Sequence, residues 1–274
     1  MSGTYHRLPD LSLSKIVKLL PPASVNTSIG LPFLVLDTVD STNNYAMGQV
    51  HAGLAKHGQT YFALHQFAGK GQRGKTWNAQ PGQNITMSII LTPDFSNNQH
   101  SFVISAAVAL SCIDLMKDYS IDHMKVKWPN DIYWRDRKTG GILIENVYRA
   151  NVWKYAVVGI GLNVNQTNFA ELQDVATSMK VITGLDHDPI AMSKNLCDKL
   201  QARYEQLLNG QQDAIMNDYN ELLYKKDEQV RLRKENIVFE TTVSHVSRAG
   251  QLHTRDVMER SFDFGEVEWL TGDR

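Results

Sequence analysis

Apolar residues gather into short blocks separated by polar or glycine- and proline-rich stretches, and the spacing inside each block distinguishes strand from helix. Phe33-Leu34-Val35-Leu36 reads as a strand, after which Asp37–Asn44 offers several capping side chains for a helix reaching about Gln49. Thr60–Gln66 and Asn84–Thr92 are rich in β-branched and aromatic residues, which predicts two strands flanking a polar loop. Gln99–Asp118 is apolar on most faces, so a central helix is expected there. Lys125–Trp128 predicts a strand stopped by Pro129-Asn130-Asp131, because proline cannot donate to a ladder. Gly141–Arg149 and Val152–Val164 predict paired strands with Ala150-Asn151 at the turn, whereas Ala170–Lys180 fits neither period. Pro189–Leu208 and Asp213–Tyr224 space their apolar residues as amphipathic helices. From Gln229 the period shortens again, through Val230, Leu232, Val238, Thr241, Val243, Val246 and Leu252. Near the start, Leu11–Leu20 is either a short helix or an irregular arm, closed by Pro21-Pro22.

This order predicts an α+β fold: a mixed central sheet backed by helices, then a small β-barrel-like module. The expected division is an N-terminal arm over residues 1–30, a main domain over 31–225 and a β module over 226–274. With 274 residues the chain is long enough for one large domain and a small one. Its most apolar run, Phe102–Ile113, is too short for a bilayer, which needs about 20 residues, so no membrane span is expected. Cys112 and Cys197 each sit in an apolar helical run without a neighbouring thiol, which predicts buried reduced cysteines and a cytoplasmic setting. The scattered histidines show no zinc spacing. An exposed sheet edge would be the place for two subunits to pair as a homodimer.

Charge changes the picture locally. The net formal charge is −1, which gives no global field for nucleic acid. Two segments are nevertheless basic: Gln66–Asn78 carries Lys70, Arg73 and Lys75 with no carboxylate, and Lys125–Gly141 holds five cations against two carboxylates. Two basic clusters on a nearly neutral chain point to a discrete anionic ligand.

The first cluster contains Gly69, Gly71 and Gly74, which let the backbone approach a ligand closely. With little to bury, the loop is expected to order around a phosphate; a mobile basic hairpin is the plain alternative. Gly69, Gly74, Lys75 and Thr76 fall in the letters of a P-loop, but Trp77–Gly82 reads as loop where a P-loop needs a helix. In the second cluster, Asn130 and Asp131 lie at a strand end, where Asp131 would serve Mg²⁺ bridging phosphates, or simply make a turn. Lys138, followed by Gly140-Gly141, would reach a carboxylate or phosphate unless it is merely solvated surface. A third stretch, Val158–Asn165, alternates Gly159 and Gly161 and so clears one face of the strand for a flat ring or a tightly packed element. Asn163 continues that face with a donor and an acceptor suited to an adenine edge.

Taken together, Asp40-Ser41-Thr42-Asn43, Gln66…Gly69-Lys70-Gly71…Arg73-Gly74…Trp77, Lys127-Trp128-Pro129-Asn130-Asp131, Lys138…Gly141-Ile142-Leu143 and Gly159–Asn165 closely resemble biotin–protein ligases. The resemblance covers roughly residues 33–270 and implies a class II synthetase-like catalytic fold with an SH3-like C-terminal module. It implies that biotin reacts with ATP to give biotinyl-5′-AMP. The biotin then passes to a lysine of the biotin carboxyl carrier domain of acetyl-CoA carboxylase or another biotin-dependent carboxylase. By the same match, Ser41, Thr42, Asn43 and Gln66 would bind the biotin head group. Lys70, Gly71 and Gln72 would line the biotin carboxylate and the α-phosphate, with Lys138 and Gly141 bordering that carboxylate and Lys138 neutralising charge during the reaction. Trp77, Asn130, Asp131 and Asn163 would lie on the nucleotide side. Many members read Gly-Arg-Gly-Arg where this chain reads Gly69-Lys70-Gly71-Gln72. Gln72 cannot make a charge-assisted fork to phosphate, so Arg73 becomes the candidate for that contact and for a catalytic role. The DNA-binding domain of some members is not found in this sequence, so no DNA partner is expected. Lipoate–protein ligase, octanoyltransferase and a non-catalytic biotin or nucleotide sensor are the competing readings.

Overall fold

The computed structural model describes residues 28–93 and 101–270. The main body is a seven-stranded mixed sheet built from β1 (Phe33–Val39), β2 (Thr60–Gln66), β3 (Ile85–Leu91), β4 (Met124–Lys127), β5 (Asp131–Trp134), β6 (Arg137–Arg149) and β7 (Val152–Leu162). Their spatial order is β1-β2-β3-β7-β6-β5-β4; β1 and β2 run parallel and every other pair is antiparallel. The α+β expectation holds. Ala150 and Asn151 form the β6–β7 turn, both with positive φ, the twist that suits a two-residue hairpin.

Helices α1 (Thr42–His51), α2 (Ser101–Asp118), α3 (Met179–Thr183), α4 (Pro189–Leu208) and α5 (Gln212–Glu221) complete this body. The central helix α2 buries Ile104, Leu110, Ile113 and Leu115 in the main core, as its near-continuous apolar sequence requires. Helix α4 starts where Pro189 sits at its first turn and the Asp188 carboxylate accepts from the backbone N–H groups of Ile190 and Ala191. Arg203 on α4 donates to Asp114 of α2 and Asp218 of α5, at 2.8 and 2.7 Å, tying three helices together.

A second, five-stranded antiparallel sheet follows: β8 (Gln229–Lys234), β9 (Ile237–Val246), β10 (Leu252–Arg255), β11 (Glu259–Phe262) and β12 (Glu268–Leu270). Its order is β11-β10-β9-β8-β12. It packs directly on the main body: the buried Trp128 indole donates to Gly250 O at 2.8 Å, and Asn220 exchanges two hydrogen bonds with Val246.

Several expectations change. Strand β6 begins at Arg137 rather than Gly141, and Asp131 opens β5, so Lys138, Gly141 and Asp131 are strand residues rather than turn residues. Residues 170–180 divide into a short 3-10 turn, Ala170–Leu172, and the start of α3, capped by Ser178. The last helix of the main body is shorter than predicted, ending at Glu221. Most of the predicted arm lies outside the described residues. Its last residues belong to the body, since Ile29 is buried and its N–H donates to Gln201.

Candidate active site

One cavity of about 950 Å³ opens over the sheet between β3 and β4, and it gathers every residue singled out from the sequence. At one end the first turn of α1 presents Ser41, Thr42 and Asn43, all buried. The Thr42 N–H and hydroxyl both donate to Gln66 Oε1, at 2.7 and 3.0 Å. Asn43 Nδ2 donates to Glu145 Oε2 at 2.9 Å, and Ser88 Oγ stands 2.6 Å from Asn43 Oδ1 and 2.7 Å from Thr42 Oγ1. The single Ser88 proton serves one of these acceptors at a time. This network pre-orients donors and acceptors around a compact polar group. Ser88 and Glu145 were not anticipated: each lies in a strand predicted only for its apolar pattern.

The two glycines of β7 are explained by what faces them. A Cβ on Gly159 would stand against Asn43 Oδ1 and 2.9 Å from its Cγ. One on Gly161 would intrude on the Trp77 indole, 2.8 Å from Nε1. Gly159 therefore admits the α1 turn, and Gly161 admits a flat ring that the chain itself supplies.

Trp77 also accounts for the basic loop. Lys70 and Thr76 form an antiparallel bridge, Gly71 N–H donates to Lys75 O at 2.7 Å, and Trp77 N–H donates to Gly69 O at 2.9 Å. Arg73 occupies the left-handed region at φ 54°, between Gln72 and Gly74. The stretch is a small hairpin pinned by its own backbone and by Trp77 on the sheet. The expectation that a phosphate must order it overlooked that anchor. No helix follows Thr76; the chain runs through coil into β3, which rules out a P-loop.

Opposite this hairpin, Lys138 is fixed by its own backbone, its N–H donating to Val175 O while its carbonyl accepts from Thr177 N–H. A register shift between Ile132 and Tyr133 sets Lys138 opposite Tyr133. The Lys138 ammonium lies 2.6 Å from Asp131 Oδ1 and 5.8 Å from the centre of the Trp77 ring. Asp131 thus partners Lys138, and among the described residues no group of three or more His, Cys, Asp or Glu could hold a metal ion. Asn130 Nδ2 donates to Ile142 O at 2.8 Å. Asn163, also buried, donates to Thr177 O at 3.0 Å from the far wall.

Gln72 Nε2 lies 3.4 Å from Ile142 O, and its buried Oε1 has no protein partner. Arg73 points elsewhere, donating to Gly265 O at 3.2 Å in the C-terminal sheet's last loop. That loop and its neighbours, including Phe264, Glu266 and Trp269, also border the cavity. Sequence reasoning missed this wall entirely.

With the geometry in place, comparison with known proteins is informative. Residues 35–163 form a domain of the Biotin/lipoate A/B protein ligase family. The matched segment holds every sequence-predicted site residue from Ser41 to Asn163. The chain is 32% identical over 130 residues to the bifunctional ligase/repressor BirA of Escherichia coli, covering 47% of this chain and 40% of that protein. It is 33% identical over 133 residues to a biotin–[acetyl-CoA-carboxylase] ligase of Paracoccus denitrificans, covering 47% of this chain and 53% of that one. The matches thus span about half the length of these curated relatives. Across the whole described fold, the biotin protein ligase from Aquifex aeolicus in complex with biotin and ATP superposes with a TM-score of 0.74 at 23% identity, covering 87% of this chain and 98% of that chain. The architecture is that of the biotin protein ligases.

Proposed function

We propose that this protein is a biotin–protein ligase that forms biotinyl-5′-AMP from biotin and ATP and transfers biotin to a lysine of a carboxylase carrier domain. The observation that carries the reading is the single cavity in which a polar, pre-oriented end (Thr42, Asn43, Gln66, Ser88) meets a cationic middle (Lys70, Lys75, Lys138) beside an aromatic ring (Trp77). A neutral ureido ring suits the first, two anions the second and adenine the third.

Both nucleophiles belong to substrates. The biotin carboxylate attacks the α-phosphorus, the bond to pyrophosphate breaks, and the carrier lysine later displaces AMP from the mixed anhydride while losing a proton. The protein's work is to hold two anions together and stabilise charge on the phosphorus. Lys138 is suited to that charge, because its backbone is locked while its ammonium is balanced only by Asp131. Lys70, Gly71 and Gln72 border the carboxylate and α-phosphate. Arg73, turned toward Gly265, acts by holding the hairpin against the C-terminal sheet rather than as the phosphate contact first expected of it. Trp77, Asn130 and Asn163 form the nucleotide side. Magnesium enters with the triphosphate as part of the substrate, and Asp131 is the carboxylate nearest that path.

The carrier partner, a cytoplasmic setting and a homodimer belong to the same reading. The thiols support the setting, since Cys112 and Cys197 are buried and burial pushes the Cys197 thiol up to about 12. Edge strand β1, with Leu34 and Val35 exposed, is the open edge along which two copies would pair. Incubation with ATP, biotin and an apo carrier domain should add one biotin to the carrier lysine by mass spectrometry, and excess lipoate should not compete. Lipoylation in place of biotinylation would reassign the substrate; binding without transfer would favour the sensor.

A further inference from the structure

Lys127 is the one cation of the cavity whose surroundings the reaction above does not use. It lies on β4 with only 8% of its surface exposed. Its ammonium donates to Tyr133 OH at 3.3 Å and sits 4.8, 5.5 and 5.5 Å from the ring centres of Tyr133, Tyr224 and Trp269. Two walls of this cage come from the main body and the third, Trp269, from the C-terminal sheet. Tyr224 is itself held by a 2.6 Å hydrogen bond to Asp136. No carboxylate forms an ion pair with Lys127 among the described residues.

The order of strands says which part of the substrate this cation would meet. The polar end of the cavity lies at α1 and β3, Lys138 lies on β6, and Lys127 lies on β4 at the sheet's opposite edge. In-line displacement at phosphorus puts the attacking oxygen and the leaving group on opposite sides. With biotin at α1 and the reacting phosphorus near Lys138, the leaving pyrophosphate projects toward β4. We propose that Lys127 is a binding residue for the β- and γ-phosphates and that Trp269 positions it.

The cage has a physical rationale. Aromatic faces hold an ammonium without neutralising it, so its charge stays available to a ligand. Burial draws the Lys127 pKa down to about 8, with Asp131 and Asp136 opposing that fall and Lys138 and Lys75 adding to it. Such an ammonium lacks full hydration and gains from a polyanion. The C-terminal sheet thereby becomes part of the nucleotide site.

The inference rests on the adenylate-forming reading, and the test separates the two. Full-length wild-type protein, Lys127→Met, Trp269→Leu and Trp269→Phe are titrated calorimetrically with Mg·ATP and with AMP. Lys127→Met keeps volume and removes a buried charge. It should weaken Mg·ATP by about ten-fold or more while AMP changes by less than about two-fold. Trp269→Leu should share the ATP-selective loss, and Trp269→Phe, which keeps an aromatic face, should recover most of it. Unchanged ATP affinity in Lys127→Met, or equal loss of ATP and AMP, overturns the assignment of Lys127. A normal ATP-to-AMP ratio in Trp269→Leu removes Trp269 from it. Nucleotide binding needs no biotin chemistry, so the result stands whether or not the wild type proves to be a ligase.

Discussion

Alanine at Gly159 and alanine at Gly161 should disable different ends of the cavity, although the two residues share one face of one strand. A methyl group at 159 displaces Asn43, which Ser88 and Glu145 hold at 2.6 and 2.9 Å. Breaking those bonds strands a fully buried Ser88 hydroxyl, whose unmet hydrogen bond costs about 1–3 kcal/mol. Adding the lost Asn43 contact brings the total to about 2–3 kcal/mol, or about a 30- to 150-fold loss of biotin affinity. A methyl group at 161 instead dislodges the Trp77 indole and with it the anchor of the basic hairpin. Gly161→Ala should therefore weaken ATP while leaving biotin within about three-fold, since the Thr42–Gln66–Ser88 network is untouched. Calorimetric titration of each variant with each substrate, beside a thermal melt showing that both fold, reads the difference. Wild-type biotin affinity in Gly159→Ala, or both variants losing both ligands alike, would refute the division of the cavity.

Three further outcomes are expected. Trp128→Phe removes the buried hydrogen bond to Gly250 O and should cost about 1–3 kcal/mol of stability; an unchanged denaturation midpoint would show that the bond contributes nothing. Lys127 binds its proton more weakly in the fold, at about 8, than the ordinary 10.5. Between those values the unfolded chain carries more protons, so this group adds about 3 kcal/mol of stability as pH rises through that window. Lys127→Met should abolish that rise, and a wild-type slope in the variant would contradict it. Lys138→Met should cut adenylate formation far more than ATP binding; equal losses would remove Lys138 from the chemical step.

Local signals were legible where chemistry and period agreed. Thr60–Gln66 and Pro189–Leu208 appear with the predicted bounds, the one from its β-branched content and the other from Asp188 and Pro189 at its start. The cationic loop, the Lys127–Asp131 motif and the Gly159–Asn163 strand were each recognisable, and the sheet brings all three into one cavity. What stayed hidden depends on register and on long-range packing. Lys138 looked like a turn residue because a strand whose ladder shifts register departs from simple alternation. Ser88 and Glu145 read as ordinary strand residues until α1 lay across them. The order of the basic hairpin hinges on Trp77 meeting Gly161, two residues far apart in the chain. The cavity wall formed by Phe264 and Trp269 follows from the docking of the second sheet, which no local pattern encodes.

The central claim is that a cationic hairpin and Lys138 let two negatively charged substrates combine as an acyl-adenylate. Exchange of radiolabelled pyrophosphate into ATP tests it most directly. The account predicts exchange that requires biotin and falls close to background in Lys138→Met. Folded protein that binds both substrates yet shows no exchange, or exchanges equally well without biotin, would contradict it.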